Sequence, residues 1–589
     1  MNLFQELRRR RVFRTAALYV VAAWIVLQVA DLGFPALNIP EQAIRYVWLA
    51  AILGFPVAIL FGWRYQVTES GIVRTLPTAA GEIADMHLKG ADYVLLGALA
   101  AVAMAITYRA VEEIRNVEPA YAISALGNEI LPNSIAFLPL DNLTGDTGQA
   151  YFVDGIHEAI TSVLSQVSGL RVKSRRSTSR YADSQKSIAD IGRELGVANV
   201  LEGSVFQTGE SVRVMLQLID AATDENVWAQ SYERELKDVV TLQAEIARTV
   251  AEQIDVELTA DEIGRLSAIR EVNPEVYQSY LKGMYFLKAL DPDTMDLGFR
   301  HLHEAVEKGP RDPLAYAGLA LGYNLIGHFI DTHEAFPKAA AFARKALELD
   351  EYSAEAWAAL AEAQLYYDWD WAASEKSFLR ALQLNPNLDD AYGHFSYLLI
   401  LLGRVDEALE ASLKARELSP VEPLWAGFTA WMYMIEGRYD EAMQHADECL
   451  TYEPGFWLCL YTIGQIHGLR GEFDAAITVH EQMLVEPEVA HWGLGVTYAM
   501  AGERDKALAS IEAMKEFGGP KDLLHIALTY AVLGDLETAM DWMDKAVEVR
   551  TDWVPWVARP YAYGGSAIPL RGHPRFEVLI DDLGVARPK

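Results

Sequence analysis

The sequence predicts a multidomain chain in three parts: a three-helix transmembrane anchor, a small α/β mixed-sheet domain and an all-α solenoid of helical repeats. Three observations predict it. Three uncharged apolar runs stand within the first 110 residues. Between residues 134 and 256 short apolar runs alternate with amphipathic ones. From about residue 274 Pro, Gly and Ala recur on a 34-residue beat.

The anchor comes first. Ala16 to Ala30, Tyr46 to Trp63 (interrupted only by Pro56) and Tyr93 to Tyr108 carry no charge. With its flanks each supplies roughly 20 residues, enough to span hydrocarbon. Trp48, Trp63, Tyr65, Tyr93 and Tyr108 stand where aromatic belts form. Arg8 to Arg11 and Arg14 precede the first run, which predicts a cytoplasmic amino terminus and, after three crossings, a periplasmic carboxyl-terminal part. The expected localisation is a multi-pass bacterial inner-membrane protein in contact with the bilayer. A cleaved signal peptide at the first run and a soluble helix at the third stay open as alternatives. The expected limits are 1–115 for the anchor (spans at about 15–37, 46–65 and 91–109), 116–133 for a linker, 134–258 for the α/β domain, 259–550 for the repeats and 551–589 for a cap.

Charge excludes some functions. The chain has a net charge of −32; residues 1–115 hold 11 basic and 9 acidic side chains, the rest 39 and 73. Such acidity repels phosphate backbones, so no nucleic acid is expected as a partner. Lys173, Arg175, Arg176 and Arg180 form a basic cluster that interrupts it, read as a solvated strand end. The two cysteines, Cys449 and Cys459, cannot build a disulfide framework or a four-ligand zinc site. They fall on successive predicted helices, which leaves one disulfide in an oxidising compartment or two buried thiols. No HExxH occurs, since His157-Glu158, His303-Glu304 and His333-Glu334 lack the second histidine. No metal site is expected.

The α/β domain opens on SIAFLPLDNLTGDTGQAYFVDGIHEAI, from Ser134. Strands are expected at 135–140, 170–174, 200–207, 212–219 and 227–232, and helices at 151–167, 188–195 and 238–256. The order is β-α-β-α-β-β-β-α, a mixed sheet with helices packed on it. Thr208-Gly209 reads as a hairpin turn. The loop with Gly145 and Gly148 lacks the Lys-Ser/Thr of GxxxxGK[ST], and the GxGxxG fingerprint is also missing, so no nucleotide or other cofactor is expected. Asp154, His157 and Glu158 are expected on the wet side of the first helix, with Phe152, Ile156 and Ile160 against the sheet. No catalytic residue is assigned, and the chain is not expected to be an enzyme.

The repeats follow. Pro386, Pro420 and Pro454 are 34 residues apart, as are Gly403, Gly437 and Gly471; Gly502 and Gly534 continue the series. Ala408, Ala442, Ala476, Ala507 and Ala539 keep step. Gly frees the turn between two helices, Ala lets them approach and Pro ends the second. This is the tetratricopeptide signature, met in part by Tyr316-Leu319-Ala320-Tyr323, Trp357-Leu360-Ala361 and Leu494-Gly495-Tyr498. About eight units are expected between 274 and 550. Their first helices line a concave groove suited to a peptide, and register places Asn324, Asp390, Tyr397, Trp431 and His467 on it.

Two family resemblances accompany these readings. ELRRRRVFRTAALYVVAAWIVLQVAD, FPALNIP and LGFPVAILFGWRYQVTESG resemble the membrane module of a bacterial family in which a TolB-amino-terminal-like (FlgO-like) domain and tetratricopeptide repeats follow. SIAFLPLDNLTGD, YFVDGIHEAITSVLSQVSGLRV, IGRELGVANVLEGSV, VRVMLQLIDAATDENVWAQSYERE and LQAEIARTVAEQI resemble that TolB-like domain. The resemblance implies a membrane-anchored, envelope-facing scaffold or adaptor that holds a protein partner in its repeat groove, and it allows a homo-oligomer. It also implies a rival, because such domains occur beside nucleotide cyclase or winged-helix DNA-binding domains. The chain would then be a signalling protein lacking its own catalytic or DNA-binding domain. A third reading is a transmembrane sensor that recruits factors through the loop at 64–90.

Overall fold

The computed structural model describes residues 130–586, apart from 145, 183, 268–270, 290, 329–331 and 486, together with Tyr19, Ala23, Val26, Leu27, Ala51, 65–68 and 71–74. The chain divides into two compact units, 1–120 and 121–589.

In the first unit β1 (Tyr65–Thr68) and β2 (Gly71–Arg74) form an antiparallel hairpin with Tyr65 opposite Arg74. Among the described residues no helix is long and apolar enough to cross a membrane. The expected fold class is corrected accordingly: the described chain is mostly helical, with a solenoid of the tetratricopeptide type, and the three-helix transmembrane anchor with its bilayer contact is not supported. The expected spans at 15–37, 46–65 and 91–109 fall almost wholly outside the described residues. Where the second span was to end and a cytoplasmic loop to begin, extended backbone carrying Gln66, Thr68 and Arg74 pairs with itself.

The second unit begins with the sheet. Its elements are β3 (Ser134–Phe137), β4 (Asp141–Asn142), α1 (Ala150–Ser165), β5 (Arg171–Val172), α2 (Arg175–Ser179), α3 (Ile188–Leu195), β6 (Asn199–Thr208), β7 (Ser211–Asp220), β8 (Glu225–Glu235), α4 (Val239–Gln253) and α5 (Ala260–Leu266). The order across the sheet is β5-β3-β6-β7-β8, with β4 beside β6. β3 runs parallel to β5 and β6, and the other long pairs are antiparallel. Alternation on β3 divides the core, as successive side chains leave opposite faces of a strand. Ile135 and Phe137 join Phe152, Ile156 and Ile160 of α1 and Leu242, Ile246 and Val250 of α4. Ala136 and Leu138 meet Ile191 and Leu195 of α3 on the other side.

His157 departs from the wet position expected of it. It is buried, with Nε2 3.0 Å from the Phe137 carbonyl oxygen. Burial pushes its pKa down, so the neutral ring is favoured. Asp154 and Glu158 do face outward, but onto the guanidinium of Arg175, and Glu158 also meets Lys288 at 2.6 Å.

Eight helix pairs follow. They are α6 (Pro274–Lys288) with α7 (Pro292–Lys308), α8 (Pro313–Gly327) with α9 (Thr332–Leu349), and α10 (Ala354–Ala363) with α11 (Trp371–Leu384). Next come α12 (Asp389–Leu401) with α13 (Val405–Leu418), α14 (Pro423–Ile435) with α15 (Tyr439–Tyr452), and α16 (Trp457–Leu469) with α17 (Phe473–Gln482). The series ends on α18 (Pro487–Met500) with α19 (Arg504–Phe517) and α20 (Pro520–Val532) with α21 (Leu536–Glu548). The chain closes on 3-10 turns at Val554–Ala558 and Ile568–Leu570 and on α22 (Pro574–Leu583).

Gly403, Gly437, Gly471, Gly502 and Gly534 turn each pair with φ between +73° and +83°, a region that costs other residues roughly 1–2 kcal/mol. The five phased alanines are fully buried between helices. Cys449 of α15 and Cys459 of α16 are joined in a disulfide across the turn between two units.

Candidate interaction surface

Several first helices pack against a later part of the same chain. Tyr397 and Trp431 stack at 5.1 Å between ring centroids, with Trp556 edge-on to Tyr397 at 5.2 Å. The Trp431 indole N–H donates to the Ala562 carbonyl oxygen at 2.8 Å. The segment after α21 was expected to cap the last repeat. It runs back across the first helices instead. Asp552 meets His328 at 2.7 Å and Lys521 at 3.5 Å. Trp553 packs among Trp457, Trp492 and His525. Arg559 donates to the Leu401 carbonyl oxygen at 2.9 Å. Trp556, Val557, Tyr563 and Leu570 are all buried, worth roughly 1.5–3 kcal/mol for each large apolar side chain. Burial on that scale makes the segment part of the core.

The five residues expected on the groove therefore have four fates. Tyr397 and Trp431 lie beneath the returning segment. His467 stands apart at the end of α16, bound to Glu472 at 2.5 Å in the turn that follows. Asp390 meets Arg176 of the α/β layer at 3.0 Å, and Asn324 is buried, with its amide on the Ala359 carbonyl oxygen.

The basic cluster carries the seam between the α/β layer and the array. Read from sequence as a solvated strand end, it is a docking segment. The Lys173 ammonium donates to the Glu417 carbonyl oxygen at 2.5 Å, and burial pushes its pKa down to about 8. Ser174 N–H donates to the Leu418 carbonyl oxygen at 2.9 Å. The Arg176 guanidinium meets Asp390 at 3.0 Å, and Arg180 lies over the Tyr452 ring. Asn387, in the turn before α12, completes the seam. Its amide donates to the carbonyls of Ser165 and Leu170, and its oxygen accepts from Val172 N–H at 3.3 Å, tying the edge strand β5 to the array. Sequence reasoning missed this residue, since Asn-Pro-Asn reads only as a turn. The available signal was four basic side chains facing a strongly acidic array.

A polar cluster gathers around Glu362 and His394. Directly after α10, residues Gln364–Asp368 form a π-helical turn ending on Trp369 at φ +55°, and such turns gather at functional sites. The turn brings the Tyr366 hydroxyl to 2.8 Å from His394 Nδ1. His394 Nε2 stands 4.0 Å from Glu362 Oε1. Burial pushes His394 down to about 3, leaving it neutral. Glu362, in turn, is pushed up to about 8, by burial first and by the Asp390 charge second. The Asn324 amide lies beside Glu362 and donates to the Ala359 carbonyl oxygen; its own Oδ1 is buried without a hydrogen-bond partner. Asp389 and Glu422 are also shifted upward by burial first. Among the described residues no group of His, Cys, Asp and Glu could hold a metal ion.

A model of the tetratricopeptide repeat matches residues 489–513. Among curated proteins, "Putative adenylate cyclase 3" of Rhizobium meliloti (strain 1021) is 38% identical over 188 residues, 32% of this chain and 32% of that protein. BBSome complex member BBS4 of Bos taurus is 25% identical over 178 residues, 29% of this chain and 34% of that one. The chain thus spans about a third of the length of these relatives. Among solved structures, Pseudomonas aeruginosa pilF aligns over 35% of this chain and 91% of its own at 18% identity, with a TM-score of 0.29. The chain carries tetratricopeptide repeats, a fold that serves protein and peptide binding.

Proposed function

We propose that the chain is a non-catalytic protein-interaction scaffold that meets its partner on the exposed surface around Leu321 and Asp390, where the α/β layer adjoins the array. The observation that carries this is the coverage of the first helices: residues 552–570 lie against His328, Tyr366, Tyr397 and Trp431, while Arg176, Asp390 and Leu321 remain partly exposed. Leu321 lies two helical turns beyond Leu314, which packs against the α/β core, so both share one face of α8. The disulfide between Cys449 and Cys459 supports an oxidising compartment as the working place. The likeness to a cyclase concerns about a third of each chain, and the activity in that protein's name is not carried over.

A photo-crosslinking side chain tests the reading. Placed at Leu321 in cells, it should capture a discrete protein; placed at Leu379, exposed on the second helix α11, it should not. Capture of the same protein from Leu379 alone would overturn the assignment. The full chain incubated with magnesium and ATP should give no turnover; turnover that disappears in D154N or E158Q would make the protein an enzyme.

A further inference from the structure

A cleft of about 480 Å³ opens where the π turn after α10 meets α11. Two indoles line it, Trp369 and Trp371, with the aliphatic side chains of Leu402 and Leu583 and the carboxylates of Asp370 and Glu375. Asp370 and the neighbouring Ala372 are exposed, so the cleft is open to solvent. Three successive residues, 369 to 371, thus line one cleft. A regular helix or strand would point them apart. The π turn and the left-handed Trp369 that ends it, at φ +55°, bring them together. A bulky residue at positive φ is an outlier, and such outliers gather at binding and catalytic sites.

The charge left over in the cleft is negative. Arg404 is held by Glu375 and Glu407 together. Asp370 caps α11, accepting from the Ala373 N–H at 3.0 Å, and enters no ion pair among the described residues. α12 and α22 both end on the cleft, at Leu402 and Leu583, and the carboxyl end of a helix carries partial negative charge. α11 begins there with the opposite polarity, and Asp370 is its cap. Indole faces attract cations. Trp369 already carries one: the guanidinium of Arg550, which does not line the cleft, lies 4.6 Å from its ring centroid and donates to the Tyr367 carbonyl oxygen at 2.6 Å. An anion would be repelled by Asp370 and Glu375. A cation on an aliphatic stem fits throughout, with methylenes against the indoles and leucines and the charged head at Asp370.

We propose that this cleft docks a lysine or arginine side chain of a partner protein, its stem against Trp369, Trp371 and Leu402 and its charged head at Asp370. Opposite charge supports a macromolecular source, since a chain with a net charge of −32 draws basic partners. The cleft is built from other residues than the surface around Leu321 and stands without that reading.

Calorimetry on the full chain tests this with the blocked peptides Gly-Gly-Arg-Gly-Gly and Gly-Gly-Gln-Gly-Gly. The arginine peptide should bind saturably and the glutamine peptide should not. D370N removes the charge and keeps a good cap on α11. W369N removes one ring and keeps a residue that tolerates left-handed backbone. Each should weaken binding roughly tenfold, with thermal unfolding as the check that the fold is intact. D541N, on α21, should bind as the parent does. No saturable binding of the arginine peptide by the parent, equal binding by D370N, or equal binding of both peptides overturns the proposal. So does binding that emerges only when Arg587 and Lys589 are both replaced by alanine, because the chain's own basic residues would then be the occupant. The crosslink from Leu321 can fail while the arginine peptide binds, and the reverse, so the two readings fall separately.

Discussion

Glu362 shows at the residue scale what burial does to an unpaired acid. Its folded pKa lies near 8 against an ordinary value of 4.5. Between those limits the folded chain keeps a proton that the unfolded chain releases, so stability is fullest below about pH 4.5 and declines as pH rises towards 8. E362Q removes that loss. Its unfolding free energy should fall less between about pH 5 and pH 8 than that of the parent, by of order 1–3 kcal/mol. Denaturant unfolding at the two pH values measures it; parallel pH dependence of parent and variant would show the carboxyl to be ionised in the folded chain. Asn387 is a second such residue. N387A should cost roughly 2–4 kcal/mol, because it leaves the buried Val172 N–H and two carbonyls without their partner. Neither residue could be read from sequence, since a glutamate on a first helix and an asparagine in a turn both pass for solvent-facing.

The repeat period was legible at the scale of elements because it records local physics. A glycine that must adopt positive φ, an alanine that must fit between two helices and a proline that must end one recur wherever the unit recurs. The two roles a glycine can play are separable by mutation. At Gly437, φ is +73° with open space around a Cβ, so G437A should cost about 1 kcal/mol through the backbone alone. At Gly393 an added Cβ would come within 2.1 Å of the Trp425 ring, so G393A should cost about 1–3 kcal/mol through overpacking. Thermal unfolding of the pair ranks them, and equal shifts would mean that Trp425 has room to move. The disulfide, left open by sequence, is an element-scale brace between α15 and α16. Its reduction should lower stability by about 1–3 kcal/mol. The basic cluster was visible in sequence, but its docking role was not, because Glu417, Asp390 and Tyr452, which meet Lys173, Arg176 and Arg180, lie more than 200 positions away.

The largest departure from sequence reasoning is at the scale of the molecule. Register counting put Tyr397, Trp431, Asn324 and Asp390 on first helices, and two of these, Tyr397 and Trp431, meet the returning segment. It gave no warning that the chain would return across these helices, because the 34-residue period stops before residue 551 and nothing periodic remains to be read. The aromatic residues carry the only clue: Trp553, Trp556, Tyr561 and Tyr563 are dense for an exposed cap. The returning segment touches first helices from α8 to α20 through His328, Leu401, Trp431 and His525, so it couples units that a simple solenoid would join only to their neighbours. W556A therefore separates two kinds of array. In a solenoid with nearest-neighbour coupling it would loosen one end while the rest melted as before. Here it should cost about 3–5 kcal/mol and lower one shared transition. Hydrogen exchange gives the sharper view: amides of α8 and α12 should lose protection together with those after residue 551. If α8 keeps its protection while the returning segment exchanges freely, the segment is a detachable plug, and the concave side from Tyr397 onward becomes available to a partner after all.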